Sequence, residues 1–140
     1  MTFTSPTDDI LCNDDGFIYG FEASGAIKAG QVVSVTTSSS PSQPFVVQAY
    51  PIPEATVNPV GVAIYTAADG EDVAVAGDGC IVRCIVSGTA KCVAGDDLYA
   101  GYEGKVDNAA TYGSTSVPVG IALETQATAD GTVRVLLGSL

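Results

Sequence analysis

Apolar positions in this chain come in short clusters, and most of the clusters alternate. Val32-Val33-Ser34-Val35-Thr36-Thr37, Phe45-Val46-Val47-Gln48-Ala49 and Thr132-Val133-Arg134-Val135-Leu136-Leu137 are dense in β-branched and aromatic residues, which suit an extended, pleated backbone. In the most apolar run, Cys80, Val82, Cys84 and Val86 fall on one face of a strand and Ile81, Arg83 and Ile85 on the other, because successive side chains of a strand point to opposite sides. Phe17-Ile18-Tyr19-Gly20-Phe21, Val60-Gly61-Val62-Ala63-Ile64-Tyr65, Val73-Ala74-Val75 and Leu98-Tyr99 read as further strands. Asn108-Ala109-Ala110-Thr111-Tyr112 is the one stretch that admits a short helical turn.

Punctuation between the clusters is equally regular. Ala26-Ile27-Lys28-Ala29-Gly30-Gln31 and Ala68-Asp69-Gly70-Glu71 read as turns, Asp78-Gly79 as a hairpin-type turn, and Gly101-Tyr102-Glu103-Gly104-Lys105-Val106 as a hairpin tip. Ser38-Ser39-Ser40-Pro41-Ser42-Gln43-Pro44 is a loop, and Pro51-Ile52-Pro53 is a corner. About ten short strands with a turn roughly every 8–12 residues predict an all-β fold, a small sandwich or barrel. Residues 1–16 are polar and acidic and follow no period, so they read as an extended N-terminal arm in front of one β-domain over 17–140.

The chain also repeats itself. Pro59-Val60-Gly61-Val62-Ala63-Ile64 returns as Pro118-Val119-Gly120-Ile121-Ala122-Leu123. Ala68-Asp69-Gly70 returns as Ala129-Asp130-Gly131, and Ala29-Gly30-Gln31 as Ala94-Gly95-Asp96. Three landmarks in the same order predict two pseudo-repeated halves, about 26–86 and 91–140, with a period on the order of 60 residues. Gly61 and Gly120, flanked by small and branched residues, predict close approach of a neighbouring backbone.

Composition narrows the function. Of 140 residues 46% are apolar and 15% charged, with 16 glycines and 7 prolines, a balance of strands and turns rather than long helices. The net charge of −11, from 16 acidic against 5 basic residues, repels phosphate backbones and anionic membranes, so neither nucleic acid nor membrane is an expected partner. The N-terminal residues lack the basic and apolar regions of a secretory signal. No apolar run reaches the roughly 18 residues that span a bilayer. These features predict synthesis and assembly in a cytoplasm.

Catalytic chemistry is hard to find. The chain has no histidine, the commonest general base and metal ligand, and it carries neither phosphate-cradling glycine motif. Asp8-Asp9, Asp14-Asp15 and Asp96-Asp97 are adjacent acids, which on a strand point apart rather than converge. Asn13-Asp14-Asp15-Gly16 has the oxygen ligands of a calcium loop without its spacing. Cys12, Cys80, Cys84 and Cys92 have poor zinc spacing; core packing, a disulfide in an exposed particle and metal binding stay open for them. The expectation is a non-enzymatic protein with no catalytic, cofactor or metal site.

Ala26-Ile27-Lys28-Ala29-Gly30-Gln31-Val32-Val33, then Val60-Gly61-Val62-Ala63, Gly70-Glu71, Gly95-Asp96 with Leu98-Tyr99, Val119-Gly120-Ile121-Ala122 and the run from Val133 to Leu137 together resemble the small capsid cement, or head decoration, proteins of tailed bacteriophages and related archaeal viruses. The similarity covers about residues 20–140, and the order of the motifs carries it. The resemblance implies a structural virion protein made in the host cytoplasm. It would sit on the capsid exterior as a homotrimer at three-fold and quasi-three-fold positions, clamping neighbouring copies of the major capsid protein. It also implies an arm that orders on docking, here Thr2, Phe3, Thr4, Ser5, Pro6, Thr7, Asp8, Asp9 and Ile10. The alternative from another class is a receptor- or glycan-binding β-module, for which Tyr99, Tyr102 and Tyr112 would be the aromatic platform.

Overall fold

The structure is a computed structural model, and it describes residues 10–12, 18–36, 46–51, 58–87, 92–108, 117–128 and 130–138. Among them are eleven strands: β1 (Ile10–Cys12), β2 (Ile18–Ala23), β3 (Val32–Val35), β4 (Val46–Ala49), β5 (Pro59–Ala63), β6 (Asp72–Ala76), β7 (Cys80–Ile85), β8 (Asp97–Ala100), β9 (Val106–Asp107), β10 (Pro118–Ala122) and β11 (Thr132–Leu137). One single-turn 3-10 helix, Tyr102–Gly104, joins β8 to β9. The loop 38–44, Ile52 and Pro53 of the corner, and 109–112 of the suggested helical turn lie outside the described residues.

Strands β2-β4-β3-β5-β6 form a closed barrel, and β1-β7-β11-β10-β8-β9 form a six-stranded sheet. The sheet nearly closes as well. Val86, just past β7, makes a parallel bridge to Val106 of β9, so β7-β9-β8-β10-β11 follow the same circular order as β2-β4-β3-β5-β6. The first barrel has a parallel seam too, where Glu22 and Ala23 of β2 pair with Val46 and Val47 of β4. The second ring is therefore an open barrel, with β1 added on the free side of β7 by pairing Ile10 with Val82 and Cys12 with Cys80.

The correspondence extends to single hydrogen bonds. Gly30 N–H donates to Ala63 O at 2.8 Å and Gly95 N–H to Ala122 O at 2.8 Å; in return Ala63 N–H reaches Gln31 O and Ala122 N–H reaches Asp96 O, each at 2.9 Å. A side-chain oxygen closes both turns, Gln31 Oε1 accepting from Lys28 N–H at 2.8 Å and Asp96 Oδ2 from Val93 N–H at 3.0 Å. Thr66 Oγ1 and Thr125 Oγ1 accept from Ala29 and Ala94 N–H. Ala23 N–H donates to Glu71 O and Val86 N–H to Gly131 O, while Ser24 bonds Val47 O as Ser87 bonds Val106 O. The matching geometry thus begins at β2 and β7, upstream of the motifs visible in the sequence.

The core has two parts. Ala23, Ile27, Val33, Val47, Ala63, Ala67, Val73 and Val75 fill the first barrel. A second cluster fills the open barrel with residues such as Cys84, Val86, Leu98, Val106, Val133 and Val135, and continues into Val32, Tyr50, Val62, Ile64 and Ala76 on the outside of the first barrel. The two rings therefore share one apolar interior. At full burial each Val, Ile or Leu side chain among them contributes about 1.5–3 kcal/mol.

Strand β7 alternates buried and half-buried residues along its whole length, as its sequence pattern predicts. The Asp78-Gly79 turn differs from its expected role. Both edges of β6 are already taken, by β2 and β5, so the chain cannot fold back on β6. The turn instead carries it into the second ring, with Gly79 at φ +89° and its N–H bonded to Leu137 O at 2.9 Å.

Candidate functional site

Strands β8, β10 and β11 present an open groove of about 510 Å³ on the outer face of the second ring. Cross-strand register builds it: Asp97 lies opposite Ile121, and Ile121 opposite Leu136. Tyr99 and Pro118, themselves paired across β8 and β10, close one end. Gly120 forms the floor. A Cβ there would overlap the Leu136 carbonyl oxygen and stand 2.9 Å from Val135 Cγ1, so the close approach predicted from the sequence is to the adjacent strand β11.

The walls are apolar and exposed, Ile121 at 44% and Leu136 at 36%, with Leu123 further along at 44%. Among the lining residues Asp97 is the single carboxylate, so no carboxylate pair converges here. The groove's described lining is thus mostly apolar, with Asp97 at one side.

The sequence-predicted residues are scattered. Thr2, Phe3, Thr4, Ser5, Pro6, Thr7, Asp8 and Asp9 lie outside the described residues, as do Asp14-Asp15, the Asn13–Gly16 loop and Tyr112; Ile10 begins β1. Asp96 and Asp97 separate as adjacent strand residues do. Asp96 accepts from Val93 N–H and from Asn108 Nδ2, whereas Asp97 projects to solvent at the groove. Tyr99 is half-buried in the groove wall and Tyr102 stands exposed on the 3-10 turn. Sequence reasoning missed Ile121, Leu123 and Leu136 as a surface. Apolar residues in strands read as core, and only the register shows these three facing out.

Cys80, Cys84 and Cys92 are buried, and Cys84 and Cys92 are in no disulfide. Burial pushes the Cys84 thiol well above its ordinary pKa, with a smaller contribution from Cys92. Cys92 is also raised, by burial first and then by Asp96 and Glu124. Such thiols pack as neutral hydrophobes rather than act as nucleophiles. Among the described residues no cluster of three potential metal-ligating side chains forms, and no helix is long and apolar enough to cross a membrane.

The outer electrostatics tie loops together. Lys105 Nζ lies 2.8 Å from Asp130 Oδ1 and 3.6 Å from Glu103 Oε2, and the hydrogen bond to Asp130 is the main reason its pKa is raised. Glu103 and Asp130 are the two non-glycine residues at positive φ among those described. One cation thus holds two left-handed turns. Arg83 and Arg134 both reach Glu124, at 3.6 and 3.7 Å.

Paired rings with an apolar outer groove define an all-β module. The chain belongs to the phage cement protein family, whose pattern it matches over residues 13–137. It is accordingly a structural protein of the phage virion, associated with the capsid. Its fold is similar to that of the head fiber gp8.5 N base of bacteriophage phi29, with a TM-score of 0.64 at 15% identity, covering 89% of this chain and 95% of that one. No curated protein matches the chain.

Proposed function

We propose that this protein decorates the outside of the phage capsid as a trimer and clamps neighbouring major capsid proteins against internal pressure. Membership of the phage cement family over residues 13–137 is the observation that carries this reading. The physics supports it. A cement needs a stiff body and complementary surfaces rather than an active site, and a trimer gains avidity from three simultaneous weak contacts. The continuous interior of the two rings supplies the stiffness, and the acidic surface, with a net charge of −11, keeps the free protein soluble before docking.

In this reading residues 2–9 form an arm that reaches across the shell and orders there, and β1 anchors its base to β7. The two rings are the products of an internal duplication, synthesised in the host cytoplasm with the other virion proteins. The test is attachment of the purified chain to undecorated capsids, measured by co-sedimentation with and without residues 2–9. The full chain should bind saturably and the truncated chain more weakly while remaining folded. Equal binding removes the arm from the mechanism, and no binding by either form overturns the decoration reading.

A further inference from the structure

Strand β1 pairs with β7 alone. It lies on the free side of that strand, with Ile10 opposite Val82, Leu11 opposite Ile81 and Cys12 opposite Cys80. Two cysteines thus meet in register at the place where the arm joins the body.

The direction of the β7 hydrogen bonds decides what kind of pair this is. Val86 N–H, in line with β7, donates to Gly131 O on the β11 side at 2.9 Å, whereas Ile85 N–H donates the other way, to Gly30 O at 3.1 Å. Backbone groups of successive strand residues point to alternate sides. Even-numbered residues of β7 therefore bond toward β11, and odd-numbered residues toward the side that β1 occupies. Ile81 is the hydrogen-bonding position opposite Leu11, and Cys80 with Cys12 is a non-hydrogen-bonded pair. Pairs of that kind bring their Cα atoms to about 4.5 Å, inside the roughly 4.4–6.8 Å that a disulfide spans.

The other two thiols do not compete. Cys84 shares the interior face of β7 with Cys80 but stands four residues along the same strand, about 13 Å away at roughly 3.3 Å per residue and beyond the reach of a disulfide. Cys92 belongs to the Cys84 end: it raises the Cys84 pKa, and its Sγ lies 3.9 Å from Glu124 O.

We infer that Cys12 and Cys80 form a disulfide that staples β1 to β7 once the chain meets an oxidising medium. The two thiols give up two protons and two electrons as the Sγ–Sγ bond forms. A small-molecule disulfide such as oxidised glutathione accepts them in two exchanges. One cysteine displaces half of it as a thiol, giving a mixed disulfide, and the other cysteine displaces the second half. Cys80 is 0% exposed, so exchange takes place with the three-residue β1 lifted from its single neighbour, and the closed strand then shelters the bond. The loop closed between residues 12 and 80 contains every strand of the first ring, β2 to β6. A ring unfolding inside a closed loop has less conformational freedom to gain. In the decoration reading the arm also acquires a covalent anchor at its base; the bridge itself does not rest on that reading.

The test treats the purified full chain with oxidised glutathione, alkylates it, and maps its peptides by mass spectrometry without reductant. One linked peptide pair, Cys12 to Cys80, should appear, with Cys84 and Cys92 alkylated. Dithiothreitol should lower the wild-type urea midpoint by about 1–2 M and leave that of Cys12→Ser unmoved. The wild-type map needs no variant and decides alone if Cys12→Ser fails to fold. Four alkylated cysteines after oxidation, a bridge between Cys84 and Cys92 in place of this one, or a bridge joining two chains overturns the inference. A wild-type midpoint that ignores dithiothreitol overturns it as well.

Discussion

Gly61 and Gly120 have no room for a side chain. A Cβ on Gly61 would overlap the Ala76 carbonyl oxygen and crowd Val75 Cγ1 at 2.6 Å, and Gly120 meets Leu136 and Val135 in the same way. Valine at either position should lower stability by roughly 1–3 kcal/mol or more, as overpacked sites do; wild-type urea midpoints would refute the tight packing. Ser34 presents the opposite case. It is 1% exposed and its hydroxyl has no hydrogen-bond partner among the described residues. Removing an unsatisfied buried hydroxyl relieves a desolvation cost, so Ser34→Ala should hold or raise the urea midpoint by about 1 kcal/mol in ΔG. A clear loss of stability would mean that the hydroxyl has a partner.

Buried thiols give the strands of the second ring a pH signature. Cys84 has its pKa raised in the fold, chiefly by burial, above the ordinary 9.0. The folded state then holds a proton that the unfolded state releases. Its contribution is complete below the ordinary thiol pKa and is lost as pH rises past it. Urea midpoints should therefore fall above about pH 9, less steeply for Cys84→Val, and a parallel decline in both proteins would remove Cys84 from the account. Most of these strands were legible in the sequence, because β-branched clusters and Gly-Asp punctuation mark them directly. Two short ones were not. The side of β7 that holds β1 is set by Ile10–Cys12 crossing from the polar arm, and two-residue β9 sits within the hairpin tip. Neither has a period long enough to read. The circular order of the strands was equally hidden, since it depends on the parallel seams at Val46 and Val106, which join residues far apart in the chain.

The whole molecule should unfold as one unit. Val32, Tyr50, Val62 and Ile64 belong to the outside of one ring and the interior of the other, so neither ring keeps its core without its neighbour. Calorimetric and van't Hoff enthalpies should agree for the dispersed chain; two separated transitions would show that the rings are independent. The repeated motifs announced a duplicated plan in the sequence, but the asymmetry between the copies became visible only through burial. Val62 and Ile121 are interchangeable as sequence and opposite as surface.

Electron cryo-microscopy of capsids saturated with the purified protein tests the central claim most directly. The account predicts added density outside the shell at three-fold and quasi-three-fold positions, each resolved as six small β-rings from three chains. Bare capsids, or density from single isolated chains, would contradict it.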